Sequence, residues 1–566
     1  MPSHRGAGKA PSWGLFRFLA AGALAWVTLT ATAGGPPRAA VASAHPLATD
    51  AGMAILAEGG NAFDAAVAVS AVLAVVEPYS SGLGGGGFWL LHRARDGRDV
   101  MVDGRERAPL AAHRDMYLDD KGEVVPRLSI DGPLAAGIPG EPAALDHIAS
   151  HYGRLSLKQD LQRAIDIART GFPVDAHYRR MAQWRQSALR ASPAATQIFL
   201  KQGEAPPLGT LIRQPALART LQALAEKGRA GFYTGPVARR LVASVRAAGG
   251  IWQPEDLAQY AIVERVPIRG VYRGMRITSA SPPSSGGVVL TTMLNILARY
   301  DLAALPRIDR LHLMVEAMRR AYRDRAEYLG DPDRVRMPVE MLIHPFYAAG
   351  LARDIRMDKA TPSAWFGGIG QQEGHHTTHF SILDREGNRV AATLSINYPF
   401  GAGFVAEGTG LLLNDEMDDF SARPGAPNVY GLVGGEANAI APGKRMLSSM
   451  TPTFVETPEG VAILGTPGGS RIITMVLQAI LAMAEGEGPE AWVRRPRIHH
   501  QYLPDVIQYE PEALNAEEAD GLKQRGHRLK RLARPFGNMQ AVYWNKKTGM
   551  VKAASDPRGI GKARVE

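Results

Sequence analysis

Thr377–Asn397 reads TTHFSILDREGNRVAATLSIN, and this stretch decides the fold. Two runs rich in β-branched, aliphatic and hydroxyl-bearing residues flank the segment DREGN, whose Gly387-Asn388 pair is typical of a turn. The pattern predicts a β-hairpin. Alternate side chains of a strand share one face, so a hairpin can bring two polar rows side by side. The rows here are Thr377, His379 and Ser381 in the first strand and Thr393, Ser395 and Asn397 in the second.

The chain before the hairpin has a different character. Residues 358–376 are polar, Gly-rich and without periodicity, which predicts an exposed, mobile connection. Residues 45–360 are mainly helical in pattern, with interspersed strands. The segment Asp309–Tyr328 illustrates this, because apolar residues at helical spacing form one stripe on a charged helix. The stripe consists of Leu311, Met314, Val315, Met318 and Tyr322.

Composition excludes several classes of protein. The chain has 566 residues, 45% of them hydrophobic and 21% charged, which is typical of a large globular protein. It has no cysteine, which excludes disulfides, thiol nucleophiles and Cys-ligated metals. The formal net charge is +10, but no block of five Lys or Arg residues occurs, so we expect no nucleic-acid partner.

The N-terminus resembles a targeting segment. Residues 1–33 carry basic residues, then an apolar run from Phe18 to about Thr28, then Ala31-Thr32-Ala33. This is the layout of a secretory signal peptide, with cleavage after residue 33 or as late as 44. An uncleaved anchor is the alternative. The protein is therefore expected to be exported, to the periplasm in the first instance or to the extracellular space.

Two local patterns allow more than one interpretation. Ser80–Gly87 formally contains GxGxxG, but no strand–helix–strand unit surrounds it, so tight backbone packing is favoured over dinucleotide binding. The histidines 375, 376 and 379 could bind a metal ion, but no carboxylate partner is evident. A polar linker is the simpler interpretation of these histidines.

Several motifs in one order carry a resemblance to a known family. Taken together they resemble the γ-glutamyltranspeptidase (glutathione hydrolase) family, over nearly the whole chain after residue 44. The motifs are GGNAxDAA from 59, SSGxGGGGF from 80, PPSSGG from 282, YLGDP from 328, TTHFS from 377, NxEMDDFS from 414, LSSM from 447, GTPGGSR from 465 and SDPR from 555.

The resemblance implies an N-terminal nucleophile hydrolase of the α+β class, with a four-layer αββα sandwich. Such a protein is made as one inactive precursor that cleaves itself, here between His376 and Thr377. The products would be a large subunit, residues 45–376 after signal removal, and a small catalytic subunit, residues 377–566. The two subunits would pair with each other, and no cofactor or metal is implied.

The resemblance assigns the nucleophile to Thr377. A hydroxyl needs a neighbouring base, and a free α-amino group with a pKa of about 7.7–8 can serve near neutral pH. Before cleavage that nitrogen is an amide and has no basicity. The amides of Gly468 and Gly469 match the oxyanion hole, and Thr393 and Ser395 match hydroxyls close to the nucleophile. Ser395 replaces the threonine that is usual there.

The implied donors are glutathione and other γ-glutamyl compounds, and the acceptors are water, amino acids or dipeptides. The glutamyl end is a zwitterion, so its site needs both signs of charge. Residues 424–435 resemble the lid of some bacterial members, with Tyr430 as gate. The matched carboxylate-binding residues are Arg105, Ser448 and Ser449, and the matched ammonium acceptors are Asn397, Glu416 and Asp419, where Glu416 stands in place of the Gln of some relatives.

Two alternatives stay open at the level of sequence. One is an amidase or acylase of the same fold with another acyl specificity. The intact set of ammonium acceptors argues against glutaryl substrates, which lack that group. The other is a cleaved but inactive periplasmic protein that binds glutamyl compounds.

Overall fold

The computed structural model describes residues 34–366 and 377–566. The signal segment 1–33 and the histidines 375 and 376 lie outside the described residues. Two large antiparallel sheets and the helices around them make up most of the fold. The helices are α1 Pro46–Ala57, α2 Ala62–Val76, α3 Glu141–Tyr152, α4 Leu157–Thr170, α5 Ala176–Trp184, α6 Gln186–Ala191, α7 Pro193–Phe199, α8 Pro215–Lys227, α9 Arg229–Tyr233, α10 Gly235–Ala247, α11 Pro254–Ala258, α12 Gly286–Leu297, α13 Arg307–Tyr328, α14 Val339–Leu342, α15 Pro345–Arg353, α16 Ile472–Ala484, α17 Pro489–Arg494 and α18 Ala516–Gln524.

The strands are short, as is usual for antiparallel sheets. They are β1 Ala40–Ser43, β2 Gly86–Arg93, β3 Arg98–Gly104, β4 Phe172–Pro173, β5 Leu211–Ile212, β6 Val263–Arg265, β7 Ile268–Tyr272, β8 Met275–Ser279, β9 Thr378–Leu383, β10 Arg389–Ser395, β11 Val405–Ala406, β12 Leu411–Leu412, β13 Thr453–Glu456, β14 Gly460–Gly465, β15 Ile498–His499, β16 Ile507–Tyr509, β17 Leu529–Arg531, β18 Gln540–Asn545, β19 Val551–Ser555 and β20 Lys562–Val565.

The two large sheets form the middle of a four-layer sandwich. The first has the order β20-β1-β9-β10-β2-β3-β6 and the second β19-β18-β14-β13-β8-β7. A buried apolar layer that includes Phe88, Met101, Ala391, Ile463 and Val542 fills the space between them. Helices α1 to α3 contact the outer face of the first sheet, and α12, α16 and α17 contact the outer face of the second. The expected αββα sandwich is confirmed.

The predicted hairpin is formed by β9 and β10. Thr393 pairs with His379 and Leu394 with Thr378. Since Phe380 and Ile382 pack into the helical side of the first sheet, the alternate row faces the second sheet. The Ser381 hydroxyl donates to the carbonyl of Gln540, 3.1 Å away on β18. The polar row therefore lies between the two sheets.

The Gly-rich run at 80–87 is used for close packing, as expected. It leads into strand β2, so it does not open a helix as a dinucleotide loop does. A Cβ on Gly84 would lie 1.9 Å from the carbonyl oxygen of Leu412, and one on Gly85 would lie 2.1 Å from that of Ser395. Only glycine fits so near to the neighbouring backbone.

The prediction for residues 358–376 is wrong over part of that range. Thr361 and Ser363 are buried. The Ser363 amide donates to Asp505, 2.8 Å away, and Arg320 donates to the Thr361 hydroxyl, 3.1 Å away. A polar composition without periodicity also fits a segment that is tied down by side-chain hydrogen bonds.

Candidate active site

Thr377 lies where two cavities meet. The residue immediately precedes β9 and is 6% exposed. It lines a narrow cleft, here called the polar cavity, and a wider cavity of about 730 Å³, here called the outer cavity. The Gly468–Gly469 peptide separates them, because Gly469 lines the first and Gly468 the second. A group bound to Thr377 can thus extend in two directions.

Most of the site residues predicted from the sequence line the polar cavity. They come from six separate segments of the chain, two of which are strand β10 and the short helix Glu416–Asp419. The predicted residues that line it are Thr377, Ser395, Asn397, Glu416, Asp419, Tyr430, Ser448, Ser449 and Gly469.

Three predicted residues stand apart from that lining. Gly468 faces the outer cavity. Thr393 shares a 2.8 Å hydrogen bond with Nδ1 of His379, whose Nε2 lies 3.3 Å from the Ser381 hydroxyl. Arg105 is fully buried behind the acidic residues of the cavity. His376, on the predicted cleavage bond, lies outside the described residues.

The Arg105 guanidinium is neutralised by the acidic helix. It lies 2.5 Å from a carboxylate oxygen of Glu416 and 2.5 Å from one of Asp419. Burial acts to lower the pKa of Arg105, but the carboxylates of Glu416, Glu106 and Asp419 outweigh it and hold the pKa above its ordinary value. Arg105, predicted to bind the carboxylate of the ligand, therefore pairs with Glu416 and Asp419, which are predicted to bind its ammonium group.

One carboxylate oxygen of Glu416 is available to a further hydrogen-bond donor. Its Oε1 is buried and has no partner at hydrogen-bond geometry within the described part of the chain. Burial raises the pKa of Glu416 to about 7, with Arg105 and the nearby Ser395 hydroxyl opposing the shift. The carboxyl group can therefore accept from an ammonium group above neutral pH and loses that capacity below it.

The two serines of the cavity present free hydroxyl hydrogens. Ser448 Oγ accepts from the Met450 amide at 3.1 Å, and Ser449 Oγ accepts from Arg325 Nη2 at 3.2 Å. Neither hydroxyl donates to a residue within 34–366 or 377–566. Each oxygen already accepts one hydrogen bond and each hydrogen is available, so the pair can act as two adjacent donors, which suits a carboxylate.

Residues 424–435, predicted to be a lid and here called the lid, pack against the polar cavity. Tyr430 is buried, and its hydroxyl donates to the carbonyl of Asn397, 2.7 Å away. Its ring lies against Gly469, where a Cβ would approach the ring to 2.6 Å. The Asn428 side chain donates to Asp419 Oδ1 at 3.0 Å. The lid is thus held by residues of the polar cavity itself.

The sequence did not identify as site residues three residues that contact the hairpin or the polar cavity: Glu77, His379 and Arg325. The Thr378 hydroxyl donates to Glu77 at 2.8 Å, and burial raises the pKa of Glu77 to about 7. Burial lowers the pKa of His379 to about 3, so its ring is neutral. Arg325 contacts Ser449. Glu77 is distant in sequence from Thr378, as Arg325 is from Ser449, and only folding brings each pair together.

Within the described residues, a cluster of potential metal ligands lies away from the cavity. It comprises His312, Glu316 and His527, whose ligand atoms lie within 4.8 Å of one another. Glu316 also pairs with Arg319 and Arg320. His379 uses both ring nitrogens in hydrogen bonds, so it does not offer a free ligand to the metal interpretation of residues 375–379.

Comparison with known proteins adds independent findings. A family model described as Gamma-glutamyltranspeptidase matches residues 48–565. The chain is 42% identical over 531 residues to a glutathione hydrolase proenzyme of Escherichia coli strain K12, covering 92% of this chain and 90% of the relative. It is 41% identical over 562 residues to a glutathione hydrolase proenzyme of Pseudomonas aeruginosa, covering 97% of this chain and 98% of the relative.

A solved structure shares the fold across the chain. It is the crystal structure of a cephalosporin acylase from Bacillus halodurans, with a TM-score of 0.82 and 28% sequence identity. The alignment covers 94% of this chain and 96% of that one.

Proposed function

Because the chain belongs to the gamma-glutamyltranspeptidase family, we propose that it is a self-processing γ-glutamyl hydrolase and transferase acting on glutathione and related γ-glutamyl compounds. Family membership makes it an enzyme rather than a binding protein that has kept the pocket. The observation that carries the proposal is the position of Thr377, at the junction of a polar cavity fit for a zwitterion and a wider outer cavity.

Maturation comes first. Cleavage between His376 and Thr377 leaves a small subunit of 566 − 376 = 190 residues that begins with Thr377. The new α-amino group then accepts the proton of the Thr377 hydroxyl as Oγ attacks the γ-carbonyl carbon. The amides of Gly468 and Gly469 stabilise the oxyanion, at roughly 3–4 kcal/mol for one donor.

Collapse of the tetrahedral intermediate breaks the carbon–nitrogen bond, and the leaving amine takes the proton from the α-ammonium group of Thr377. Water, or the neutral amino group of an amino acid or dipeptide, then attacks the acyl-enzyme from the outer cavity and restores the threonine hydroxyl. Thr393 and Ser395 support the strand end that presents Thr377.

The donor's glutamyl end occupies the polar cavity. Its carboxylate meets Arg105, Ser448 and Ser449, whose free hydroxyl hydrogens support this placement. Its ammonium group meets three acceptors, and the unfilled oxygen of Glu416 supports that role. The acceptors are Asn397, Glu416 and Asp419.

We also propose that the protein is exported. Residues 1–33 are proposed as a signal peptide, with the periplasm as the destination. Among the described residues, no helix combines the length and apolar character that crossing a bilayer requires.

The test is the fate of Thr377 variants. Purified protein should give two polypeptides on denaturing gels, the smaller beginning at Thr377, and should release glutamate from glutathione. Thr377→Ala should remain uncut and inactive. Thr378→Ser keeps the hydroxyl that binds Glu77 and serves as the matched control, which should mature normally. A Thr377→Ala protein that splits and turns over glutathione would falsify the proposal.

An acylase is the second candidate, favoured by the structural likeness to the cephalosporin acylase. A glutaryl amide lacks the ammonium group, so its transfer to Thr377 would leave the acceptors of the polar cavity unused. Comparing kcat/KM for glutathione and a glutaryl amide separates the two. A preference for the glutaryl amide would favour the acylase.

A further inference from the structure

Arg325 is a buried cation that is held by hydroxyl groups. The residue lies in the last turn of α13, and 4% of its surface is exposed. Its Nε donates to the Ser285 hydroxyl at 3.0 Å and its Nη2 to the Ser449 hydroxyl at 3.2 Å. Burial lowers the pKa of Arg325, and the carboxylate of Asp419 opposes that shift, but no carboxylate within residues 34–366 and 377–566 lies close enough to form an ion pair with it. A buried charge whose direct partners are hydroxyl groups is costly, unless a ligand supplies a closer opposite charge.

The polar cavity next to Arg325 lacks positive charge. Arg105 already faces Glu416 and Asp419 at 2.5 Å each and Glu106 at 3.4 Å. A donor carboxylate placed beside Arg105 would add a fourth acid to one guanidinium. A second cation is therefore needed on the carboxylate side of the cavity.

Ser449 connects that cation to the cavity. Its oxygen accepts from Arg325, so its own hydrogen points away from the guanidinium and is free for an acceptor. Hydrogen bonding to a charged donor also polarises the hydroxyl, which strengthens its donation to an anion. The Ser285 contact fixes the guanidinium from the other side.

We propose that Arg325 is a positioning residue that supplies the unbalanced positive charge for the donor's α-carboxylate, acting through the hydroxyl of Ser449. This inference rests on the proposed function and names the group that selects donors with an α-carboxylate. The favourable position of a cation at a helix C-terminus is the competing structural role. That role would affect all substrates equally.

The test compares Arg325→Gln with the unaltered enzyme on three p-nitroanilides. The γ-glutamyl anilide has both charged groups, the 4-aminobutyryl anilide lacks the α-carboxylate, and the glutaryl anilide lacks the ammonium group. We expect kcat/KM to fall roughly 10–100-fold for the two anilides that carry the carboxylate, mainly through KM, as for loss of a hydrogen bond to a charged group. The 4-aminobutyryl anilide should change less than about threefold.

Two outcomes would overturn the inference: an equal loss on all three anilides, or no loss on any. Arg323→Gln, on the same helix and pairing with Asp324, is the matched control and should leave all three rates unchanged. If the unaltered enzyme does not cleave the γ-glutamyl anilide, the proposed function fails instead.

If the Arg325→Gln protein does not mature, Arg325→Lys provides a second test of the proposal. Lysine keeps the charge but cannot hold both hydroxyls in the guanidinium geometry. L-Glutamate, which has the α-carboxylate, should then inhibit roughly threefold or more weakly, and 4-aminobutyrate should inhibit as before. An equal change, or no change, in both inhibition constants contradicts the proposal.

Discussion

At the scale of single residues, the chemistry depends on carboxyl groups kept away from water. Glu416 is fully buried and has one oxygen without a partner in the described part of the chain. Burial raises its pKa to about 7, so the group is mostly protonated below that pH and ionised above it. Only the ionised form attracts an ammonium group strongly.

We therefore predict that L-glutamate binds more weakly as the pH falls below 7. Its competitive inhibition constant should rise up to tenfold per pH unit in the unaltered enzyme, because a proton must leave Glu416 before the ammonium group binds. In Glu416→Gln the constant should be larger above pH 7 and should depend less steeply on pH below 7.

The Thr377 amine also titrates near neutral pH and lines the same cavity, so the effect of Glu416 is the difference between the profiles of the two proteins. Glu436→Gln, at an exposed position that pairs with Arg114, is the control and should keep the original profile. A pH-dependent constant that persists unchanged in Glu416→Gln would contradict the assignment.

At the scale of elements, the lid of residues 424–435 is organised by one asparagine. Asn428 donates to Asp419 at 3.0 Å, and its Oδ1 accepts from the amides of Tyr430 and Leu432 at 3.0 and 3.1 Å. The same side chain therefore shapes the lid and fastens it to the polar cavity. Tyr430, whose amide donates to Asn428, also donates through its hydroxyl to the carbonyl of Asn397.

We predict that Asn428→Ala loosens the lid. Loss of these hydrogen bonds should weaken lid docking by roughly 1–3 kcal/mol, since one of them goes to a charged group. Amide hydrogen exchange across residues 424–435, followed by mass spectrometry, should accelerate about 5-fold or more by that estimate.

Arg423→Ala is the matched control for the lid. It removes a surface ion pair with Glu123 just before the lid, and such pairs contribute little. Exchange that stays unchanged in Asn428→Ala, or that accelerates equally in Arg423→Ala, would argue against Asn428 as the fastening residue.

At the scale of the whole molecule, the segments before and after Thr377 are interleaved. In the first sheet, β1 lies between β20 and β9, and β2 lies between β10 and β3. In the second, β8 pairs with β13. Residues Gly35–Glu566 form one compact unit. Cutting the chain once leaves these ladders and the apolar layers between them intact.

We predict that the two polypeptides stay together after cleavage. Native mass spectrometry should find the sum of the two masses, while denaturing conditions should separate them, because each sheet contains strands of both. The uncut Thr377→Ala protein should elute at the same volume in size-exclusion chromatography. Separation of the cleaved subunits on simple dilution would show that the interleaved sheets do not hold them.

The sequence by itself determined the local structure around Thr377. Alternation of side chains over 377–397 predicted the hairpin and its polar row, because period-two patterning is a property of the strand alone. Residue type and motif order indicated the site residues and the αββα class. The sequence next to the Gly-rich run also indicated tight packing of that run, because no helix follows it.

Only the tertiary structure determined which charged residues contact which partners. The apolar stripe of α13 continues past Tyr322 to Arg325 at helical spacing, so the sequence held a signal of a buried cation. It could not say that Ser449 would be its partner, or that Arg105 would be neutralised by Glu416 and Asp419. These contacts join positions more than 100 residues apart, and the energy of a charge depends on what burial places around it.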